Sequence, residues 1–385
     1  MCSSSRVRDI TRQVVATGAN AAEVAAHLVE GLEGPDLRLA FVFADWRLDA
    51  AVIAALTWSG LGAPVVGSTT PGVIARGAIP GALTAVALGL YGEGFRVGIG
   101  VATELPKSAL ARGRDAVGRA LAALGLTAAE LDPDRHVAIT LVDGTCGHEE
   151  AFCIGSAAAA PRIRFVGGCA ASGLDSPGGA STWVNGEVMS DAGVVVLLES
   201  DLPFAVVTSA HLVPTSVKTV VTAASGRVIH ELDGRKAAPR LRELIAGIGD
   251  VLDEPTPAHT FARYNDGVSD VRSIARIEGD DVVLANAIEV GHVLRVMRPG
   301  DLIGTTRRDL TLASERVGGT MAAFLAFSCL GRHQEAKARG LASALAEVHD
   351  AYPTIGVQTL GEQSGLLLVN HTLTGLAIGQ PRERR

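Results

Sequence analysis

The pattern of the chain predicts an α/β fold, with mixed sheets flanked by helices and three loosely repeated strand–helix–strand units. Three observations carry this. An apolar run, a polar turn, a helical stretch and a second apolar run entering a Gly-rich turn recur three times along the 385 residues. Within a unit the spacing is that of one crossover: Asp45 and Asp143 precede Gly67 and Gly167 by 22 and 24 residues. The apolar runs are nearly continuous, as expected of strands covered on both faces.

In the first unit, a strand over 39–44 meets Asp45, a helix is expected over 49–59, and 63–66 enters Gly67-Ser68-Thr69-Thr70-Pro71-Gly72. In the second, 136–142 meets Asp143, a helix follows over 149–160, and 163–166 enters Gly167-Gly168-Cys169. In the third, 322–327 meets Ser328-Cys329, one long helix is expected over 333–349, and 352–357 enters Gln358-Thr359-Leu360-Gly361-Glu362. Each unit adds a further strand, at 84–90, 193–198 and 365–369. Between the second and third units, 202–318 holds a helix ending near Gly247, a loop marked by Pro255 and Pro257, and strands at 282–288 and 292–297. The chain is expected to leave the second sheet near 212–221, which divides it into parts at 34–215 and 216–380.

Composition narrows the function. Hydrophobic residues are 48% and charged residues 19%, enough apolar matter for a large core. Aromatics are only 4%, so that core is built from Ala, Val, Leu and Ile. A net charge of −7 without a basic run argues against a nucleic-acid partner. The longest uncharged stretch, near 50–75, contains Pro64 and Pro71 and makes a poor membrane span. With no apolar leader at the start, the expected location is cytoplasmic. The five cysteines, Cys2, Cys146, Cys153, Cys169 and Cys329, are odd in number and hold no C-x-x-C pair, which argues against a disulfide framework or a structural zinc.

The turns are the candidate site. Ligands of α/β sheets lodge beyond the carboxyl ends of the strands, where glycine lets backbone N–H groups come close; such turns also simply join strands to helices. Arg332 can grip a ligand carboxylate or pair with Glu362. Asn370 and Thr372 offer donors and acceptors, or cap a turn. Cys146, Cys169 and Cys329, with His148 and His333 nearby in sequence, suit a soft metal, a haem or a reactive thiol, or else the thiols pack as small hydrophobes. Cys329 and His333, four apart, are the candidate nucleophile and base. No Walker A, H-E-x-x-H or G-x-S-x-G motif is present, which favours a binding protein over an enzyme.

These residues resemble the FIST family, a two-part sensory module with FIST N and FIST C parts. The likeness lies in Val66-Gly67-Ser68-Thr69-Thr70-Pro71-Gly72, Phe165-Val166-Gly167-Gly168-Cys169-Ala170, Glu231-Leu232-Asp233-Gly234-Arg235-Lys236-Ala237, Phe327-Ser328-Cys329-Leu330-Gly331-Arg332, Gly361-Glu362 and Asn370-His371-Thr372, with departures at Val73, Cys169 and Lys236. The resemblance implies a small-ligand sensor of signal transduction, binding a molecule such as an amino acid and acting through a separate partner, for instance a histidine kinase. The implied ligand pocket lies between the two parts, lined by Ser68, Thr69, Thr70, Gly167, Gly168, Cys169, Ser328, Cys329, Arg332, Glu362, Asn370 and Thr372. Some members bind haem; His148, His211 and His371 are the candidate iron ligands here. An enzyme of specialised metabolism using a turn cysteine is the other alternative.

Overall fold

The computed structural model describes residues 10–79, 81–173, 179–253, 258–265 and 268–381. Cys2, Pro255 and Pro257 lie outside the described residues.

The first unit runs β1 (Thr11–Thr17), α1 (Ala21–Leu32), β2 (Leu37–Asp45), α2 (Ala50–Leu61), β3 (Val65–Thr70), β4 (Val73–Ala75) and β5 (Thr84–Tyr91). The second runs β6 (Phe95–Ala102), α3 (Leu105–Leu124), β7 (His136–Asp143), α4 (Glu149–Ala159), β8 (Arg164–Ala170), β9 (Thr182–Val184), β10 (Glu187–Met189) and β11 (Gly193–Ser200). The third opens on β12 (Phe204–Ala210) and is then interrupted. The interruption comprises β13 (Val213–Ser225), β14 (Val228–Leu232), β15 (Arg235–Lys236), α5 (Ala237–Ala246), β16 (Thr260–Asn265), β17 (Val268–Arg272), β18 (Ile274–Glu278), β19 (Asp281–Leu284) and β20 (Val293–Arg298). The third unit resumes with α6 (Leu302–Arg316), β21 (Met321–Cys329), α7 (Leu330–Ala338), α8 (Ala342–Asp350), β22 (Thr354–Thr359), β23 (Glu362–Ser364), β24 (Leu367–Val369) and β25 (Thr372–Gly379).

The three units share one strand order: β1-β5-β2-β3, β6-β11-β7-β8 and β12-β25-β21-β22. In each the last pair, β2–β3, β7–β8 or β21–β22, is parallel and the other two pairings are antiparallel. Each sheet is then extended by a neighbour. The β9–β10 hairpin of the second unit joins β3, the β23–β24 hairpin of the third joins β8, and β4 of the first joins β22. The exchange is cyclic, so the sheets close into a ring.

Side-chain alternation explains the layering. On β2, Leu39, Phe41 and Phe43 face a core shared by all three sheets, while Ala40, Val42 and Ala44 face α1 and α2. Val137, Ile139 and Leu141 of β7 and Leu325 and Phe327 of β21 enter the same shared core. Phe43 and Phe327 meet edge to face at 6.0 Å. The small outward residues let the helices lie close, which is how a chain poor in aromatics still packs tightly. The interruption forms its own sheet, β17-β16-β20-β13-β14-β19-β18, over a separate core with α5. Arg227 and Arg272 tie it to the start of α4 through Glu149 and Glu150, each at 2.6 Å.

Two expected elements differ. The stretch 333–349 is not one helix. α7 ends at Ala338, and Gly340 takes φ +69; the N–H groups of Gly340 and Leu341 bond back to the carbonyls of Lys337 and Ala336 at 3.2 and 2.6 Å. That doubly bonded glycine stop ends the helix. The last strand of the third unit is β25, not 365–369, which instead forms β24 of the exchanged hairpin. Among the described residues, no helix is long and apolar enough to cross a membrane.

The shared core has no slack beside Gly168: a Cβ there would lie 2.4 Å from Thr359 Cγ2 and 3.0 Å from Phe327 Cδ1. We expect Gly168→Ala to lower unfolding stability by about 1–3 kcal/mol. On α3, Gly118 has no neighbour within 4 Å, and Gly118→Ala is expected to be neutral or to stabilise by up to about 1 kcal/mol. Urea melts of the two variants read the contrast; equal effects would contradict the packing.

Candidate functional site

The strand ends of the three units meet, and backbone hydrogen bonds knit them together. Ala171 N donates to Thr69 O at 3.2 Å, Cys169 N to Gly361 O at 2.8 Å, and Gln358 N to Gly72 O at 2.8 Å. Asp45 and Asp143 hold the first and second ends in the same way, each accepting from the backbone N–H two residues on, at 2.9 Å. In the third unit the matching position is Cys329.

The sequence-nominated turn residues are buried and committed to one another. Ser68 is buried on β3; Thr69 Oγ1 accepts from Ser181 N at 3.0 Å, and Thr70 Oγ1 donates to Gln358 O at 2.9 Å. Gly167 O accepts from Thr374 Oγ1 at 3.2 Å. Glu362 is fully buried, and its two oxygens accept from Thr359 and Thr372 at 2.5 and 2.6 Å. Burial pushes its carboxyl up to about 8, against the pull of those hydroxyls and of Arg332. Asn370 donates to Leu360 O at 3.2 Å and leaves its own Oδ1 without a partner. Burial drives the Cys169 and Cys329 thiols well above the usual range and Cys146 up to about 12, so none is a thiolate near neutral pH. His333 Nε2 sits 3.1 Å from Ser328 Oγ, which spends the imidazole on the serine rather than on Cys329.

Arg332 belongs to a second cluster. Its guanidinium donates to Ser209 O at 3.4 Å, His211 Nδ1 at 3.3 Å and Thr306 Oγ1 at 2.8 Å, not to Glu362. Because a guanidinium only donates, His211 Nδ1 accepts, and His211 Nε2 carries the proton shared with Glu335 Oε2 at 2.7 Å. His371 Nδ1 is 2.8 Å from Ser273 Oγ, and its Nε2 lies 3.3 Å from the same Glu335 oxygen. Burial opposes the Glu335 charge, yet the two imidazoles hold its carboxyl well below the usual range. These contacts bind α7 to β12, α6 and the interrupting domain. His211 and His371 therefore fit a haem poorly, since an iron bond would break the Glu335 network. His148, half-buried at the start of α4, lies in a different unit. Among the described residues, no group of three or more His, Cys, Asp or Glu side chains is placed to hold a metal.

A cleft of about 630 Å³ opens one layer outside the knitted strand ends. Trp46, Arg47, Pro71, Gly72 and Ile79 of the first unit form one wall; His333, Leu345, Ala346, His349 and Gln358 of the third form the other. His349 is 4% exposed, and among the described residues neither of its ring nitrogens has a hydrogen-bond partner. Burial, aided by the Arg332 charge, holds His333 and His349 down to about 3, and His349 also opposes a charge on His333, so both rings are neutral. Of the residues nominated singly for a site, His333 alone lines this cleft, beside Asp45, Pro71, Gly72 and Gln358 of the nominated turns. His349 carries no motif. Its signal is Gly340: along an unbroken helix, residues 333 and 349 would point about 160° apart, whereas the break folds both onto one cleft.

Burial raises the Glu362 carboxyl above its unfolded value, so the folded chain holds the extra proton. Its contribution is favourable below about pH 4.5 and is lost as pH rises towards about 8. We expect Glu362→Gln to gain on the wild type by an amount on the order of a few kcal/mol between pH 5 and 8. Melting temperatures across that range check it; a constant offset would show that Glu362 ionises freely.

Residues 8–235 match the FIST N domain and residues 237–365 match the FIST C domain. No curated protein matches the chain. Among solved structures, cyanuric acid hydrolase from A. caulinodans is similar at 14% identity, over 97% of this chain and 99% of that one, with a TM-score of 0.36. FIST domains are sensory, small-ligand-binding domains of signal transduction. The two matches run in order and together span nearly the whole length: the chain belongs to the FIST family.

Proposed function

We propose that the protein is a small-ligand sensor whose ligand lodges in the cleft between the first and third units and whose output passes to a separate signalling partner. The observation that carries the reading is His349: a buried imidazole with both nitrogens unpaired among the described residues, on the wall of a cleft of about 630 Å³. Buried polar atoms are nearly always paired, and an orphan costs about 1–3 kcal/mol. A ligand that satisfies the ring recovers that cost. The volume falls within the usual range for small-molecule sites.

The route from ligand to output runs through α7. One face of this short helix brings His333 to the cleft; the other carries Arg332 and Glu335 into the network with His211, His371 and Ser273. Ser273 lies between β17 and β18 of the interrupting domain. A ligand that shifts α7 thus acts on the seat of that domain, offering a partner two distinguishable surfaces.

Native mass spectrometry of the protein after incubation with a cell metabolite extract tests the reading. We expect wild type to retain a small molecule that Ala346→Trp, which fills the cleft from an exposed wall position, does not. A variant at the remote, exposed Trp58, Trp58→Ala, should retain it. Equal retention in wild type and Ala346→Trp, or none in either, defeats the proposal.

A further inference from the structure

The walls of the cleft also state what kind of molecule they accept. Resting on the reading above, we infer that the ligand is uncharged, with an apolar body and a neutral polar group such as a carboxamide that bonds to His349. Three observations converge on this chemistry.

The first is the charge inventory. Arg47 is the one arginine or lysine among the lining residues, and it is closed. Its Nε and Nη2 donate to the two oxygens of Asp45 at 2.8 and 2.7 Å, and Nη1 and Nη2 also reach Gly81 O, and Nη2 Ala82 O, at 3.2 Å. No fork is left for a carboxylate or phosphate. The same pairing closes Asp45 to an ammonium, and Asp350 stands exposed at the end of α8. A ligand carboxylate would leave water without finding a counter-charge in the cleft, a burial that costs several kcal/mol per ion, and an ammonium could meet Asp350 only at the cleft's exposed edge.

The second is the imidazole itself. A neutral ring has one N–H donor and one lone pair, and both are unmet in His349. A carboxamide can meet either one from a single uncharged group: its oxygen takes the ring N–H, or its N–H donates to the ring lone pair. The third is the apolar wall, in which Trp46, Ile79 and Leu345 can cover a flat hydrophobic body.

A thermal-shift and calorimetric screen of a fragment library, divided by formal charge at pH 7, tests the inference. We expect the fragments whose binding is lost in His349→Phe to be predominantly uncharged and amide-bearing, weakened at least about tenfold by Phe and partly restored by His349→Gln, which keeps a donor and an acceptor. A second variant works in the opposite sense. Asp45→Asn keeps the acceptor for Arg47 N but frees the guanidinium, and should let the carboxylate analogue of an amide hit bind at least about tenfold tighter than it binds wild type. Hits at the cleft that are mainly carboxylates or ammonium ions, or a carboxylate unaffected by Asp45→Asn, overturn the ligand class while leaving the cleft as a site. No His349-dependent hit of any charge class overturns the cleft reading itself.

Discussion

None of the three sheets is complete without a strand from a neighbouring unit, and all three bury their inner faces in one core. This mutual completion decides much of the rest. The segment that follows β3, β8 or β22, strand β4 or a β9–β10 or β23–β24 hairpin, leaves its own sheet and pairs with that of another unit, so the strand ends are drawn to one place. There they are sealed by backbone hydrogen bonds between units. Residues that would line a pocket in an open sheet are used here to close a ring, and Glu362, Thr359 and Thr372 become a buried joint between the second and third units.

The cleft proposed for a ligand then lies outside the seal. It exists because the third unit's helical connection is broken. Gly340 ends α7 after nine residues, and α8 returns across the mouth of the first unit's turn. α7 consequently has two unlike faces: a neutral, wet-capable imidazole on the cleft side and a compact charged cluster on the inner side. The cleft and the interrupting domain touch opposite sides of one short element, which is the polarity that the proposed sensor needs.

The central strand–helix–strand segments were legible in the sequence, because apolar runs such as Leu39 to Ala44 and His136 to Val142 are long and bounded by Asp and Gly. The matching positions of Asp45 and Asp143 were legible for the same reason, but not that each carboxylate accepts from the backbone two residues on. What was not legible depends on tertiary pairing. Residues 365–369 and 372–379 are both apolar, and only the partner strand distinguishes the exchanged hairpin from the sheet. The fate of Arg332 also escaped, because its partners Ser209, His211 and Thr306 lie far away in sequence. His349 reads as an ordinary helical histidine until the break at Gly340 is seen.

Native-state hydrogen exchange through β2, β7 and β21 tests the mutual completion of the sheets most directly. If each sheet needs its neighbour's strand, the slowest amides of the three strands open together with a single free energy, whatever the interrupting domain does on its own. Should any one of these strands exchange through a separate, lower-energy opening while the other two stay protected, the ring would not be the unit that holds the molecule together.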